Sequence, residues 1–306
     1  MKKNKKRRRW AKFAGIALLL LILGGGIYLF YFSQSLTSAV NQMHQPIERK
    51  VSDKREQAVT LEKKDPFSVL LLGVDKREND SGRSDTIIVL TVNPNKNSIE
   101  MLSIPRDTRT VIAGKGTEDK INHAYAFGGV EMAMDTVEQF LDIPIDYYVQ
   151  MNMEGFKEII DSVGGITVNN DLDFTSGGVH FPKGSLTLNG EKALKYSRMR
   201  YEDPRGDFGR QMRQRQIIQG IIQEGASVSS LVSFDEIFTT LGNNIKTNLT
   251  FDQMVDLQKN YKGVQRHIEQ NQIKGSGTKI DHIYYFLVPE SERLSLHNRL
   301  KEHLEL

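Results

Sequence analysis

Between Ser197 and Gln216 the chain reads SRMRYEDPRGDFGRQMRQRQ, with six arginines, three acids and no lysine, although lysine is used freely elsewhere. A guanidinium is planar, always charged and forked, and it fits two oxygens of one phosphate, whereas an ammonium is a point charge. Nucleic-acid surfaces mix the two cations, so an arginine-only cluster with interspersed carboxylates points to a phosphate or pyrophosphate clamp with a metal. Arg198 and Arg200, two apart, share one side of an extended chain. In the helix that follows, Asp207, Arg210 and Gln214 fall in one stripe, which Ile217 and Ile221 continue. A face running from charge to amide to aliphatic suits a ligand with an anionic head and a long apolar tail. It equally suits core isoleucines below a solvated arginine rim, and the residues alone leave both open. Arg205, Arg213 and Arg215 point elsewhere.

A second set of acids and arginines is placed by strands. FSVLLLGVD (67–75), DTIIVLTVN (85–93) and SIEMLSIPRD (98–107) read as three consecutive strands joined by turns. If each pairs with the next, Asp75, Arg83, Asp85, Arg106 and Asp107 come to one edge of a sheet, where α/β proteins place ligands. Asp75 and Asp85 suit a hard cation such as magnesium, or manganese, through oxygen, and the arginines suit phosphate oxygens. A structural salt-bridge cluster is the other reading of the same residues. Downstream come a helix near 122–141, a strand at 146–152, a helix at 154–165, a short strand at 166–171, a Gly-rich turn region at 173–189, helices near 189–200 and 208–227, and a late strand at 280–289. Strands interleaved with helices imply an α/β sandwich with a mixed central sheet.

The N-terminus sets the compartment. Residues 1–12 carry eight Lys/Arg and no acid in a chain of formal net charge +3, so the remainder is net acidic and is a poor polyanion-binding surface. The run 13–32 is uncharged and long enough to cross a bilayer, with aromatic residues at both ends. The expected organisation is a cytoplasmic basic segment (1–12), a transmembrane signal-anchor helix (13–32), a stalk (33–65) and an extracytoplasmic domain (66–306) of a single-pass type II membrane protein. ATP is not expected on that side of the membrane. The absence of cysteine excludes disulfides, thiol nucleophiles and cysteine zinc sites.

LLLGVD (70–75), GRSDTIIVL (82–90), SIPRDT (103–108), KINHAYAFGG (120–129), VGGITVNN (163–170) and RMRYEDPRGDFGRQMRQRQ (198–216) occur in an order that resembles the LytR-CpsA-Psr family. The resemblance implies an α-β-α sandwich carrying a phosphotransferase. Such an enzyme moves a glycopolymer, such as wall teichoic acid, from a polyprenyl diphosphate carrier to a muramic acid hydroxyl of peptidoglycan at the cell membrane. It implies magnesium on Asp75 and Asp85, with Arg83, Arg106, Lys120, Arg198, Arg200, Arg210 and Gln214 around the diphosphate and Asp207 orienting the arginines. Arg106, Asp75, Arg198 and Arg200 then stand as catalytic, and the faces of Ile217, Ile221 and helices 131–141 and 154–163 as walls for the lipid. The general base stays open among Asp75, Asp85 and His123. The expected partners are the lipid-linked glycopolymer, peptidoglycan and the membrane, not nucleic acid. A polyprenyl-diphosphate phosphatase and a non-enzymatic regulator are the competing readings, although a 12-residue cytoplasmic arm has no room for a helix-turn-helix.

Overall fold

The computed structural model describes residues 42–49, 51–75, 82–227, 242 and 244–306, without the side chains of Asp75, Ala226 and Ser227. The expected basic segment (1–12), anchor (13–32) and nearly all of the Ser-rich break at 227–233 lie outside the described residues. Among the described residues no helix is long and apolar enough to cross a membrane.

In chain order the strands are β1 (Phe67–Asp75), β2 (Arg83–Asn93), β3 (Ser98–Ser103), β4 (Arg109–Val111), β5 (Glu118–Lys120), β6 (Tyr147–Met151), β7 (Ile166–Asn170), β8 (Phe174–Ser176), β9 (Val179–Phe181), β10 (Gly184–Leu188), β11 (Ile245–Thr247), β12 (Ile268–Gln272), β13 (Ser276–Ile280) and β14 (Ile283–Leu287). The α-helices are α1 (His123–Leu141), α2 (Met153–Ser162), α3 (Gly190–Arg198), α4 (Asp207–Ser227), α5 (Phe251–Asn260) and α6 (Glu290–His303). The central sheet has six strands in the order β11-β6-β1-β2-β3-β12. β1 runs parallel to β6 and β3 parallel to β12, while the other pairs are antiparallel, so the sheet is mixed, as the interleaved pattern implies.

Alternation along the strands builds a layer on each face. Leu70, Leu72 and Val74 with Ile87 and Val89 pack against Met134 and Val137 of α1 and Leu296 and Leu300 of α6. Val69, Ile88 and Leu90 turn the other way, onto Ile218 of α4 and the half-buried Met254 and Leu257 of α5. Burial of each such side chain contributes about 1.5–3 kcal/mol. A third cluster sits beside the sheet and joins Ile160, Ile166, Phe174, Phe181, Tyr196 and Ile217. Local chemistry starts the helices that border it: Asn152 accepts from Gly155 N to cap α2, and Asn189 accepts from Lys192 N to cap α3.

Part of the expected stalk (33–65) packs onto the globular unit instead of standing free of it. Met43, Ser52 and Leu61 are buried, and Arg55 makes two hydrogen bonds to Asp146, at 2.6 and 2.9 Å, in a largely buried pair. These residues belong to the globular unit because their apolar side chains and ion-pair partners lie on it.

The other end of the chain is also tied down. His303 is buried, with Nδ1 2.8 Å from Thr91 Oγ1 and Nε2 2.9 Å from Ser98 Oγ. Burial, with Lys96 and Arg299 adding repulsion, pushes its pKa down to about 4. A group held neutral in the fold costs stability once the unfolded chain takes up the proton. Stability should therefore be full above pH 6.5 and fall between pH 6.5 and 4, by about 2–3 kcal/mol. Urea titrations at pH 7.5 and 5.0 check this, and His303→Gln should flatten the dependence. An equal pH dependence in the variant would assign it to other groups.

Candidate active site

The site begins with an irregularity in the sheet. β1 and β2 pair Gly73 with Thr86 and then Val74 with Ser84, which leaves Asp85 without a partner. Asp85 is thus the extra residue of a β-bulge, a device that re-aims side chains beside functional sites. Asp85 and Thr86, at the shifted register, both line the cavity described below. One step further, Asp75 ends β1 opposite Arg83.

The chain leaves β3 at the same edge and delivers Arg106, whose Nη1 donates to Asp85 Oδ1 at 2.8 Å. Arg106 Nε lies 3.7 Å from Asp107 Oδ2, and Lys120 Nζ donates to Asp107 Oδ1 at 2.7 Å. Burial opposes the charge on Arg106, but Asp85, then Asp107 and Asp207, outweigh it and hold the guanidinium above its ordinary range.

A cavity of about 350 Å³ opens between β1, β2 and helices α2, α3 and α4. Asp85, Arg198, Arg210 and Gln214 make its polar end, and Leu71, Ile88, Phe156 and Ile218 its apolar wall. Arg210 Nη2 is 2.6 Å from Asp207 Oδ1, and Arg200 Nε is 3.9 Å from the same oxygen. Gln211 Nε2 donates to Asp207 Oδ2 at 2.9 Å. Burial lowers the Arg210 pKa despite Asp207, and Arg106 and Arg200 add repulsion. Its Nε is buried without a hydrogen-bond partner. A desolvated cation with an unused donor, repelled by its neighbours, is stabilised by an incoming anion.

The remaining arginines of the same stretch are structural. Arg213 reaches no solvent; it donates to Asp203 Oδ2 at 2.6 Å and to Met199 O at 2.6 Å, and lies over the Phe174 ring. Arg205 forks onto Asp203 and Asp171. Asp203 tucks beneath α4 only because position 209 is glycine: a Cβ there would stand 1.9 Å from Asp203 Oδ2. Arg215 donates to Ser103 Oγ at 2.9 Å, and burial pushes its pKa down to about 10.

The structure thus brings Asp85, Arg198, Arg210 and Gln214 into one cavity and ties Arg106, Arg200, Asp207 and Lys120 to it through ion pairs. Arg83 is exposed at the start of β2 and outside the cavity lining. Arg198 is the last residue of α3 rather than part of an extended segment, so it does not share a strand side with Arg200. The isoleucine expectation changes. Ile217 is fully buried in the lateral cluster, Ile221 is half-buried between clusters, and the cavity wall is Ile218. Helical neighbours of Arg210 and Gln214 lie at i+4, so the ridge continues 210-214-218, while 217 turns toward β7. The stretch 131–141 packs into the main core and lines no part of this cavity; of α2, Met153 and Phe156 line it. His123 Nδ1 is 2.8 Å from Asp119 Oδ2. Asn152, Ser197 and Leu194 line the cavity without having been singled out from sequence.

Among the described residues no three acidic or histidine side chains gather into a metal cage. The donor set still fits magnesium, which is commonly held by one or two carboxylates together with substrate phosphates. Asp85 offers a half-buried carboxylate, and Asp75 lies on the neighbouring strand at the same edge.

A mixed α/β sheet whose edge carries an arginine–carboxylate cluster above an apolar wall defines the class, and the family follows. The chain belongs to the LytR_cpsA_psr family, whose sequence model matches residues 30–302. It is 55% identical over 286 residues to the polyisoprenyl-teichoic acid–peptidoglycan teichoic acid transferase TagU of Bacillus subtilis, covering 94% of this chain and 93% of that one. A structure of TagT bound to LIIa-WTA is 33% identical, with a TM-score of 0.77, and aligns with 86% of this chain and 100% of that one. The protein YwtF (TagT) with bound octaprenyl pyrophosphate lipid is 30% identical, with a TM-score of 0.71 and the same coverage.

Proposed function

We propose that this chain is a phosphotransferase that moves wall teichoic acid from a polyprenyl diphosphate carrier to muramic acid hydroxyls of peptidoglycan. The observation that carries this reading is the single cavity in which the unpartnered Arg210 Nε and Arg198 stand at one end and Leu71, Ile88, Phe156 and Ile218 at the other. That gradient matches a diphosphate joined to a prenyl chain. The family membership and the teichoic acid transferase name of its relative support the same reaction.

In this reading Arg106, Arg198, Arg200, Arg210, Gln214 and Lys120 neutralise and position the diphosphate. Asp207 holds Arg200 and Arg210 in place, and Asp107 does the same for Lys120. The acceptor hydroxyl oxygen bonds to the glycan-side phosphorus as the bond from that phosphorus to the bridging oxygen breaks. The bridging oxygen leaves with its electron pair on polyprenyl monophosphate, and the hydroxyl proton passes to solvent. Phosphoryl transfer depends on charge neutralisation and in-line placement more than on a strong nucleophile, and the anhydride supplies the driving force without ATP. Asp85 and Asp75 would hold magnesium, which would supply Lewis-acid neutralisation of the phosphate oxygens. The run at 13–32 would anchor the chain in the cell membrane with this domain outside.

The test uses the full chain in detergent with a synthetic polyprenyl-diphosphate saccharide, magnesium and uncrosslinked peptidoglycan strands. Label should enter the strands, and a chelator should abolish this. Lipid cleavage at an equal rate without strands would make the protein a hydrolase.

A further inference from the structure

Residues 42–45 enter the fold from the sheet edge that carries the arginine site. His44 is bridged in parallel to Thr247 of β11. β11 runs antiparallel to β6 and β6 parallel to β1, with Ile245 opposite Met151 and Met151 opposite Gly73. The chain before His44 therefore comes from the level of Gly73, beside the bulge at Asp85, and Lys246 Nζ holds Gln42 O there at 2.6 Å. The uncharged run ends at residue 32, ten positions before Gln42, and such a stretch reaches at most about 35 Å.

The β13–β14 hairpin projects past the same edge. Phe286 N donates to Asp107 O at 2.8 Å, and β14 runs parallel to the chain at Thr108. From Thr108 that chain heads away from the edge, since Ala113 N reaches Thr136 Oγ1, well along α1. The residues before Phe286 extend the opposite way, so Ile283 stands about 10 Å beyond it. Asp281 and His282, both at positive φ, close the tip as a two-residue turn. Ile283 and Tyr284 are 50% and 46% exposed, and the charges of Lys279 and Asp281 offset each other. On the arginine loop, Tyr201 is 95% exposed beside Arg200. It is held in place, because Arg213 grips Met199 O on one side of it and Asp203 on the other.

We propose that this edge faces the bilayer, with Ile283, Tyr284 and Tyr201 seated among the lipid headgroups. The inference rests on the lipid-linked donor and the membrane anchor proposed above. Tyrosine has an apolar body and a polar tip, which suits that interface. A prenyl diphosphate carries its phosphates at headgroup level, so a site facing the lipid meets them there and takes the tail onto its apolar wall. Were the opposite edge to face the lipid, the donor would have to pass the length of β1, nine residues or about 30 Å, before meeting Arg210.

The chain has no cysteine, so one introduced thiol can be labelled alone. The experiment reconstitutes the full chain in vesicles of phosphatidylglycerol and phosphatidylethanolamine. An environment-sensitive NBD dye is placed on Ile283→Cys, on Tyr201→Cys, or on Lys96→Cys in the exposed turn at the far end of β2 and β3. The first two should emit at shorter wavelength and be quenched by nitroxide-labelled lipid. The third should emit as in water and be quenched only by aqueous iodide. Aqueous emission at 283 and 201, or lipid quenching at 96, would overturn the inference. Ile283→Asp combined with Tyr284→Asp should lower kcat/KM about tenfold for donor in vesicles and less than about twofold for a short-chain donor in detergent. The dye reports lipid contact whether or not transfer occurs. An inactive chain with a lipid-quenched 283 overturns the reaction and leaves this surface standing; an active chain with an aqueous 283 does the reverse. A full chain that does not float with the vesicles overturns the anchor and this inference together.

Discussion

Arg106→Ala is expected to lower kcat/KM for saccharide transfer by about 10²–10³, the usual loss when a donor aimed at developing charge is removed from a closed site. Arg106 is the residue through which β3 reaches the cavity: Asp85 holds one arm of the guanidinium, and Asp107 stands beside Nε. Its third nitrogen, Nη2, is left for substrate oxygens. Arg106→Lys keeps the charge but loses the fork, and should recover little of the activity. The pair with Asp85 is partly exposed, and such pairs contribute about 0–1 kcal/mol, so the unfolding midpoint should barely move. Transfer kinetics beside a thermal melt separate the two effects. An Arg106→Ala enzyme with normal kcat/KM would remove this residue from the clamp.

The second large effect concerns stability. Arg213→Met is expected to destabilise the domain by about 3–5 kcal/mol, because it deprives a buried carboxylate of one of its two arginines. Neither Arg213 nor Asp203 exposes its side chain. Burial disfavours the Asp203 charge, yet hydrogen bonds from Arg205 and Arg213 outweigh it and hold the carboxyl far below the usual carboxylate range. A depressed carboxylate pKa stabilises the fold above the unfolded value near 3.8, and that contribution is lost only as pH falls below it. Urea denaturation at pH 7 measures the loss. Double replacement by Met at 213 and Asn at 203 should recover part of it, since no full charge is then stranded. An unchanged midpoint in Arg213→Met would show that the pair adds nothing net.

Arg213 sits three residues from the clamp member Arg210 in the same stretch, and the sequence distinguishes the two only partly. Composition identified an arginine-only segment, and helical spacing placed Asp207, Arg210 and Gln214 on one stripe. Spacing alone does not say which stripe meets the sheet, so Ile217 and Ile218 could not be ranked until the packing of α4 against β1, β2 and β7 was known. The strands β1 to β3 were legible because long aliphatic runs and turn residues bound them. The bulge at Asp85 was not, because one extra residue leaves no mark in a run such as RSDTIIVL. β11, β12 and the short pairs β4–β5 and β8–β9 carry too few apolar residues to announce themselves; β11 and β12 form because β6 and β3 offer them free backbone groups, while the short pairs satisfy each other. The buried part of 42–65 was read as a spacer because its charges look solvated in sequence, whereas Arg49 and Arg55 find carboxylates far along the chain on α1 and at Asp146.

The contacts of His303 have a consequence for how the molecule comes to exist. Thr91 and His303 are 212 positions apart, and β3 finds its outer neighbour, β12, only at residue 268. Until that late segment has been synthesised, β3 presents a bare row of amide and carbonyl groups, the kind of edge that recruits other chains. Closing contacts over such separations is slow, since loop entropy must be overcome before packing rewards it. The nascent domain therefore cannot mature from its N-terminal end onward; it must remain incomplete through most of its own translation, and any factor that shields the β3 edge during that interval would govern its yield.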